Sequence, residues 1–134
     1  MCYAVAMSRR SDDELAREWH TLIGRYHRTT CVLDRELEAA HGIGSSDFEV
    51  LQLLQCSGPQ GSMRMSDLAG KVHLSQSALS RLVARLEQRD LLERTMCAND
   101  RRSVYTAITP AGRELYRAAR VTQRAVLRES AAVH

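Results

Sequence analysis

The stretch that decides the fold runs from Leu74 to Leu115 and reads "LSQSALSRLVARLEQRDLLERTMCANDRRSVYTAITPAGREL". Its first part repeats apolar residues at helical spacing, and these are Leu79, Leu82, Val83 and Leu86. At about 100° per residue the four side chains form one stripe. We therefore predict an amphipathic helix that is capped by Ser75 and ends near Arg89.

The opposite face of this predicted helix carries small polar residues and arginines. It is centred on Ser77, Arg81, Ala84 and Gln88 and flanked by Ser80 and Arg85. Small side chains let a backbone approach a DNA groove, and arginine forks can reach guanine edges or phosphates. The first amides of the helix, at Gln76 and Ser77, can bind a phosphate. An ordinary solvated helix can have the same composition, so this face alone does not decide the function.

The residues after Asp90 change to an extended pattern. The segments "LLERTM" and "SVYTAI" read as two strands, and "CANDRR" joins them. We predict a β-hairpin with Arg101 and Arg102 at its tip and Arg94 on its rising strand. Such arginines can enter an adjacent minor groove, and Asp100 is expected to orient one of them through a carboxylate–guanidinium contact. A polar turn without a function is the alternative.

The remaining segments predict helices with recognisable starts. Ser11 and Glu14 form a capping box, and an apolar stripe follows it up to Gly42, which predicts one long helix. Such a stripe needs a partner, and in a small protein this is often a second copy. Ser46 with Glu49 repeats the capping box.

Three shorter features complete the predicted order of elements. "MRM", at residues 63–65, predicts a brief strand, and Ser66 is predicted to cap a two-turn helix after it. This helix and the Ser75 helix lie a short turn apart, which is typical of a helix-turn-helix. Thr109, followed by proline, predicts the N-terminus of a final helix.

Composition and charge limit the class of protein. The 134 residues suit one globular unit, and we expect a cytoplasmic protein because no secretory or membrane-spanning segment is evident. The four cysteines show no metal-ribbon spacing, so reduced thiols are expected. Residues 11–60 carry a net charge of −5, whereas residues 64–102 and 110–134 each carry +3. This asymmetry favours a polyanionic partner on one side, although a solvated mixed surface explains it equally well.

From Met65 to Leu115 the chain resembles the MarR family of winged helix-turn-helix transcriptional regulators. The resemblance rests on "LSQSALSRLVARLEQRDLLER", "DRRS" and "ITPAGREL" in the family's order and spacing, and the long first helix and "FEVLQLL" extend it over about residues 12–127. It implies a mainly α fold with a minor β component. Residues 12–60 and 110–134 would supply dimerisation helices around a winged helix-turn-helix at 61–109, with residues 1–11 as an extension.

The resemblance also implies a function and a set of site residues. The protein would bind a pseudo-palindromic double-stranded DNA operator as a homodimer, as a repressor that responds to an oxidant or to a phenolic or other small effector. It would need no cofactor and would not be an enzyme. The recognition-helix positions are Ser75, Gln76, Ser77, Ser80, Arg81 and Arg85, and the wing positions are Arg94, Asp100, Arg101 and Arg102.

This sequence departs from the family at two places. Asp90 stands where the family usually has glycine, and aspartate tolerates the left-handed conformation that the turn needs. The family also carries a further helix beyond the one that begins at Thr109. A smaller dimer and a shortened chain therefore both stay open.

Four residues are candidates for sensing. Cys97 is the candidate redox sensor, since neighbouring arginines would favour its thiolate, and an incidental exposed cysteine is the alternative. Trp19 and Tyr26 are either core or dimer residues or the walls of a ligand pocket. Cys31 shares a helix face with His20, His27 and Glu38, but His20 and His27 are two turns apart, so a complete tetrahedral set would need residues from elsewhere, and we predict no metal site.

Two other functional classes were weighed. No Gly-rich phosphate loop, H-E-x-x-H motif or nucleophile elbow is present, which argues against an enzyme. A winged helix used for contact with another protein, or an anti-repressor, is the second alternative. Such a module should show apolar or acidic residues on the exposed face of the Ser75 helix, where this sequence has serine and arginine.

Overall fold

The computed structural model describes residues 10–97 and 100–132, without the side chains of residues 97, 100–103 and 132. Within these ranges, five helices and three strands follow one another in the predicted order. They are α1 (Asp12–His41), α2 (Ser45–Gln55), β1 (Ser62–Arg64), α3 (Met65–Lys71), α4 (Gln76–Gln88), β2 (Leu92–Cys97), β3 (Asp100–Ile108) and α5 (Pro110–Ala132). The predicted fold class, a mainly helical chain with a minor sheet, is confirmed.

The long first helix has the predicted ends. The Ser11 hydroxyl accepts a hydrogen bond from the Glu14 amide at 3.1 Å, and the Glu14 carboxylate accepts one from the Ser11 amide at 3.2 Å. Gly42 ends the helix in the left-handed conformation, with φ 69°, where a side chain would be strained. The reciprocal cap and the glycine thus fix both ends of α1.

Two of the predicted caps are wrong. The residue before α2 is Gly44, and its amide donates to Asp47 Oδ2 at 2.8 Å, so the Ser46–Glu49 capping box does not form. Helix α3 begins at Met65 with Arg64 as its cap residue, so Ser66 lies inside the helix. In both cases the cap residue lies two positions earlier than predicted, and at α2 the first amides, those of Gly44 and Ser45, are paired with the carboxylates of Asp47 and Asp34.

The three strands form one antiparallel sheet in the order β1-β3-β2. Ser62 pairs with Ala107, and Leu92 pairs with Ile108, so the inner end of β3 lies between its two neighbours. Beyond that end β2 and β3 continue as a two-stranded hairpin, with an irregularity in register between Met96 and Cys97. The predicted hairpin is confirmed, although β3 begins at Asp100, earlier than the sequence indicated.

The junction of hairpin and last helix depends on Asp90 and Thr109. Asp90 adopts φ 62°, the left-handed conformation expected where the family usually has glycine. The Thr109 hydroxyl donates to the Asp90 carbonyl at 2.7 Å and accepts from the Gly112 amide at 3.0 Å. Thr109 therefore caps α5, as predicted, and also holds the turn that follows α4.

A single apolar core joins α2, α3, α4 and the sheet to α1 and α5. Phe48 stacks on Tyr116 of α5, with ring centroids 5.4 Å apart. The fully or nearly fully buried aliphatic side chains include Leu37, Leu51, Leu54, Leu68, Leu79, Val83, Leu86 and Leu92. Helices α1 and α5 also pack along one another, where His41 contacts Thr122 and Thr29 contacts Ser130 through hydrogen bonds. Among the described residues, none of the helices is both long and apolar enough to cross a membrane.

Candidate nucleic-acid interface

Helix α4 presents one buried and one exposed face. Its predicted apolar stripe is buried, with Leu79, Val83 and Leu86 at 1% exposure or less. The opposite face is exposed at Ser77, Ser80 and Arg81. Within the described part of the chain, Arg81 takes part in no hydrogen bond or ion pair, so its guanidinium is available to a partner. The predicted polarity of the helix is therefore observed in the structure.

The N-terminus of α4 also faces outward. The Ser75 hydroxyl accepts from the Ala78 amide at 3.2 Å, which confirms Ser75 as the cap. Gln76 and Ser77 are exposed in the first turn, where unpaired amides and the helix dipole favour an anion. Gln76, Ser80 and Arg94 line a groove of about 250 Å³ between α4 and the hairpin. The predicted helix positions thus share one exposed surface.

Arg85 differs from the other predicted positions because its guanidinium already has a partner. Its Nη2 lies 2.6 Å from Oδ1 of Asp47, the residue that caps α2. The Arg85 side chain is 57% exposed, whereas that of Asp47 is 9% exposed. Four residues further along, at the residue that ends α4, Arg89 donates to the Gly42 carbonyl at 2.7 Å. Both arginines connect α4 to the turn between α1 and α2.

Arg94 is also engaged, in this case with the C-terminal half of α4. Its Nε and Nη2 lie 3.0 and 2.9 Å from Glu87 Oε1, and its backbone amide donates to Glu87 Oε2 at 3.3 Å. The side-chain hydrogen bond from Arg94 is the main reason why the pKa of Glu87 is lowered from its ordinary value. Glu87 is therefore a carboxylate at neutral pH. Through Arg94 it joins α4 to the base of the β2–β3 hairpin.

The outer part of the hairpin is described only as backbone. The strands are paired as far as Cys97 and Asp100, so Asp100, Arg101 and Arg102 belong to β3 and not to a loop as the sequence suggested. The side chains of these residues and of Cys97 lie outside the described part of the structure. Their predicted roles as wing contacts and as a redox sensor stay predictions.

A cavity of about 170 Å³ lies where α1 meets α2 and the turn between α3 and α4. Tyr26 lines it, as the ligand-pocket alternative requires, together with Thr30, Leu33, Leu37, Ser45, Ser46, Phe48, Glu49, Val72, His73, Leu74 and Gln123. Trp19 is not among these residues and is 63% exposed on α1. Trp19 and Tyr26, which the sequence offered together as candidate pocket walls, therefore have different surroundings.

The sensing and metal candidates on α1 are exposed. Cys31 and His27 lie on the surface of the helix, and Cys31 is a free thiol, like Cys56. No group of three or more histidine, cysteine or acidic side chains in the described residues is arranged to hold a metal ion.

Three residues with polar roles at this interface were missed in the sequence. These residues are Asp47, Glu87 and Arg89, and each forms a contact between α4 or its end and a neighbouring segment. Their partners are Arg85, Arg94 and Gly42, which are 38, 7 and 47 positions away. Only the Glu87–Arg94 contact has a local signal, an acidic residue followed by an arginine across a predicted turn. The other two pairings depend on how α2 packs against α4, which no local pattern indicates.

These elements define a class of protein. Helices α3 and α4 form a helix-turn-helix across residues 72–75, and the β2–β3 hairpin follows directly as a wing. Residues 43–104 match the model of the MarR family. A member of that family, AbsC, is 30% identical to this chain and is covered over 82% of its own length, and the chain therefore belongs to the MarR family.

Comparisons with known proteins agree with this assignment. AbsC, a MarR family transcriptional regulator from Streptomyces coelicolor, is 30% identical and superimposes with a TM-score of 0.79, over 92% of this chain and 82% of its own. Sco3205, from the same organism and solved in complex with DNA, is 27% identical with a TM-score of 0.81, over 91% of this chain and 76% of its own.

A curated relative gives the same class. MhqR, an HTH-type transcriptional regulator from Bacillus subtilis, is 35% identical over 72 residues, which make up 54% of this chain and 48% of MhqR. The chain spans about half the length of the curated relatives it matches. Their names describe transcriptional regulators.

We expect Glu87→Gln to loosen the wing, because it removes the charge that holds Arg94. Amide hydrogen exchange in β2 and β3 should become faster than in the wild type near neutral pH. The lowered pKa of Glu87 means that its contribution is complete at neutral pH and is lost as the pH falls through that lowered value. The difference between variant and wild type should therefore disappear in acid.

Glu93→Gln is the matched control, since Glu93 is an exposed acidic residue of β2 that forms no hydrogen bond or ion pair with α4 among the described residues. Equal exchange in the wild type and the Glu87 variant at neutral pH would contradict the role of this contact.

Proposed function

We propose that the protein is a sequence-specific double-stranded DNA-binding transcriptional regulator, a cytoplasmic repressor that binds a pseudo-palindromic operator as a homodimer. The observation that carries the proposal is the exposed face of α4. Ser77, Ser80 and Arg81 lie on the surface of a helix whose other face is buried in the core. Small residues followed by an unpaired arginine suit entry into a major groove.

The surrounding charges support DNA as the partner. Residues 64–102 carry a net charge of +3 and include α4 and the wing, whereas residues 11–60 carry −5. DNA affinity depends strongly on neutralised phosphates, so the basic half is the half expected to face DNA. Sco3205, which has the same fold, was solved in complex with DNA.

A protein-binding module is the alternative from another class. It would need an apolar or acidic exposed face on α4, because the cores of protein interfaces are enriched in aromatic and aliphatic residues. The exposed face of α4 carries serine, glutamine and arginine instead. The composition of this face therefore favours DNA.

Two substitutions test the DNA-reading assignment. Arg102→Ala should weaken operator binding at least tenfold at fixed salt, because it removes a wing contact to the minor groove. Arg81→Ala should relax the base preference at one position in each half-site, since one base contact contributes about 1–3 kcal/mol of discrimination. Fluorescence anisotropy titrations on the native upstream region measure both effects.

Arg35→Ala, on the exposed surface of α1, is the control and should bind like the wild type. If both Arg102→Ala and Arg81→Ala keep the affinity and the base preference of the wild type, the assignment is wrong.

The homodimer is supported by an uncovered apolar stripe on α1. Leu15, Trp19, Leu22 and Tyr26 recur at helical spacing and are 50–63% exposed. Val121 of α5 adds a further exposed apolar side chain at 67% exposure. A continuous row of large apolar side chains of this kind marks an interaction surface, and a second copy of the chain can cover it.

We expect Leu22→Glu to produce monomers, because it places a charge in the middle of the stripe. Light scattering coupled to gel filtration should give a dimer mass for the wild type and a monomer mass for this variant. Arg17→Glu introduces the same side chain on the opposite face of α1 and should leave the dimer intact. A monomeric wild type, or a dimeric Leu22 variant, would contradict the proposed interface.

A small effector is the third part of the proposal. The cavity between α1 and α2 has a volume of about 170 Å³, and a cavity of about 150 Å³ is large enough for one benzene molecule. Its walls combine Tyr26 and Phe48 with polar groups such as those of Ser45 and Gln123. An aromatic ring with one hydroxyl group suits this mixture, which supports a phenol as the effector class.

We expect a phenol that releases the wild type from DNA to lose this effect in Thr30→Phe, whose larger side chain would fill the cavity. DNA release is measured by anisotropy across a panel of simple phenols. Thr21→Phe, on the exposed part of α1 outside this cavity, is the control and should respond like the wild type. Full release of the Thr30 variant would place the effector elsewhere.

A further inference from the structure

Arg85 of α4 and Arg89, the residue that ends this helix, both contact the segment between the end of α1 and the first turn of α2, here called the α1–α2 corner and defined as residues 42–47. Arg85 Nη2 lies 2.6 Å from Asp47 Oδ1, and Arg89 Nη1 donates to the Gly42 carbonyl at 2.7 Å. The two arginines are four positions apart and therefore lie on the same side of α4. The corner is in this way attached to the last turn of α4 and to the residue that ends the helix.

The corner itself is rigidly built. Asp47 uses one carboxylate oxygen for Arg85 and the other for the Gly44 amide, at 2.8 Å. Asp34 of α1 accepts from the Ser45 amide, also at 2.8 Å. Gly42 is in the left-handed conformation, so the chain enters the corner through a fixed bend. Because Asp34 links α1 to the first turn of α2, a guanidinium that binds Asp47 is connected to both helices.

The buried stripe of α4 cannot supply the same precision. Burial of aliphatic side chains is favourable but non-directional, so it selects the inward face of the helix more strongly than its exact rotation about its own axis. A charge-assisted hydrogen bond between arginine and carboxylate is directional. Because Asp47 is nearly buried, this contact is also less screened by solvent than a surface pair.

We propose that Asp47 and Arg85 are positioning residues, which set the orientation of α4 so that Ser77, Ser80 and Arg81 meet the bases. Arg85 acts on Asp47 and does not bind DNA itself, which revises the role predicted from the sequence. The inference rests on the proposed DNA-binding function. It assigns Asp47, a residue outside the helix-turn-helix, to the specificity of DNA recognition.

Removing the carboxylate separates this role from a direct DNA contact by Arg85. If Arg85 bound a phosphate in the complex, loss of the competing Asp47 charge would leave DNA binding unchanged or make it tighter. If the pair positions α4, the same change weakens specific binding. The two roles therefore predict opposite signs for one substitution.

Asp47→Asn is the main variant, because asparagine keeps the size of the side chain and an oxygen that can cap Gly44. Asp34→Asn is the matched control, since it removes the same charge from the same region while the amide oxygen can still accept from the Ser45 amide, and Asp34 forms no hydrogen bond or ion pair with α4 among the described residues. Arg85→Met removes the guanidinium from a side chain that is 57% exposed, and it keeps the test valid if the Asp47 variant is poorly folded. Thermal unfolding followed by circular dichroism checks each variant.

Affinities for the selected operator and for a scrambled duplex of equal length are then measured at several salt concentrations. We expect Asp47→Asn and Arg85→Met each to weaken operator binding about tenfold and to leave scrambled-duplex binding unchanged. The slope of log affinity against log salt should stay that of the wild type, because no phosphate contact is lost. The double variant should be no weaker than the weaker single variant, and Asp34→Asn should stay within about twofold of the wild type.

A wild-type or tighter affinity for Asp47→Asn would overturn the inference. So would a decrease of about 0.9 in the salt slope for Arg85→Met, which is the value for one lost phosphate contact. A wild-type protein that shows no preference for any duplex would instead contradict the proposed function, so the two failures are distinguishable.

Discussion

The burial of one side of α4 is the constraint on which the remaining structure depends. Each fully buried leucine or valine contributes about 1.5–3 kcal/mol, so the helix cannot turn this face outward. With Leu79, Val83 and Leu86 in the core, Ser77 and Arg81 necessarily face away from it. The same core carries the sheet and α5, and the exposed face of α4 therefore has a fixed place beside the wing.

Polar contacts then add a directional restraint on α4, which the burial of apolar side chains does not supply. Glu87 holds Arg94 at the base of the wing, while Asp47 and the Gly42 carbonyl hold α4 to the α1–α2 corner. The first turn of α2 also forms part of the cavity wall, through residues on either side of Asp47. A molecule in that cavity would therefore contact the helix turn that positions α4. Binding of the proposed effector would in this way act on the DNA-binding surface through one turn of α2.

Much of this arrangement could be predicted from local sequence. The stripe of α4, the Ser75 cap and the Thr109 cap each depend on residues that are close in the chain, and the structure confirms them. The left-handed turn at Asp90, which was expected from the family resemblance, is also present. The Ser46 and Ser66 caps were wrong because each helix has its cap residue two positions earlier, at Gly44 and at Arg64. The partner of Arg85 could not be predicted, since Asp47 is 38 residues away and has an ordinary place in a helix start. The roles of Cys97 and of the wing arginines stay predictions, because their side chains lie outside the described structure.

The central claim is that this chain reads DNA sequence with α4. The most direct measurement is selection of bound fragments from a genomic or random double-stranded library by the purified wild-type protein, followed by sequencing. The account predicts enrichment of one pseudo-palindromic motif, with half-sites whose centres are about one helical turn, roughly 10 base pairs, or a multiple of it apart. A library that shows no enriched motif after several rounds, at moderate salt, would contradict it.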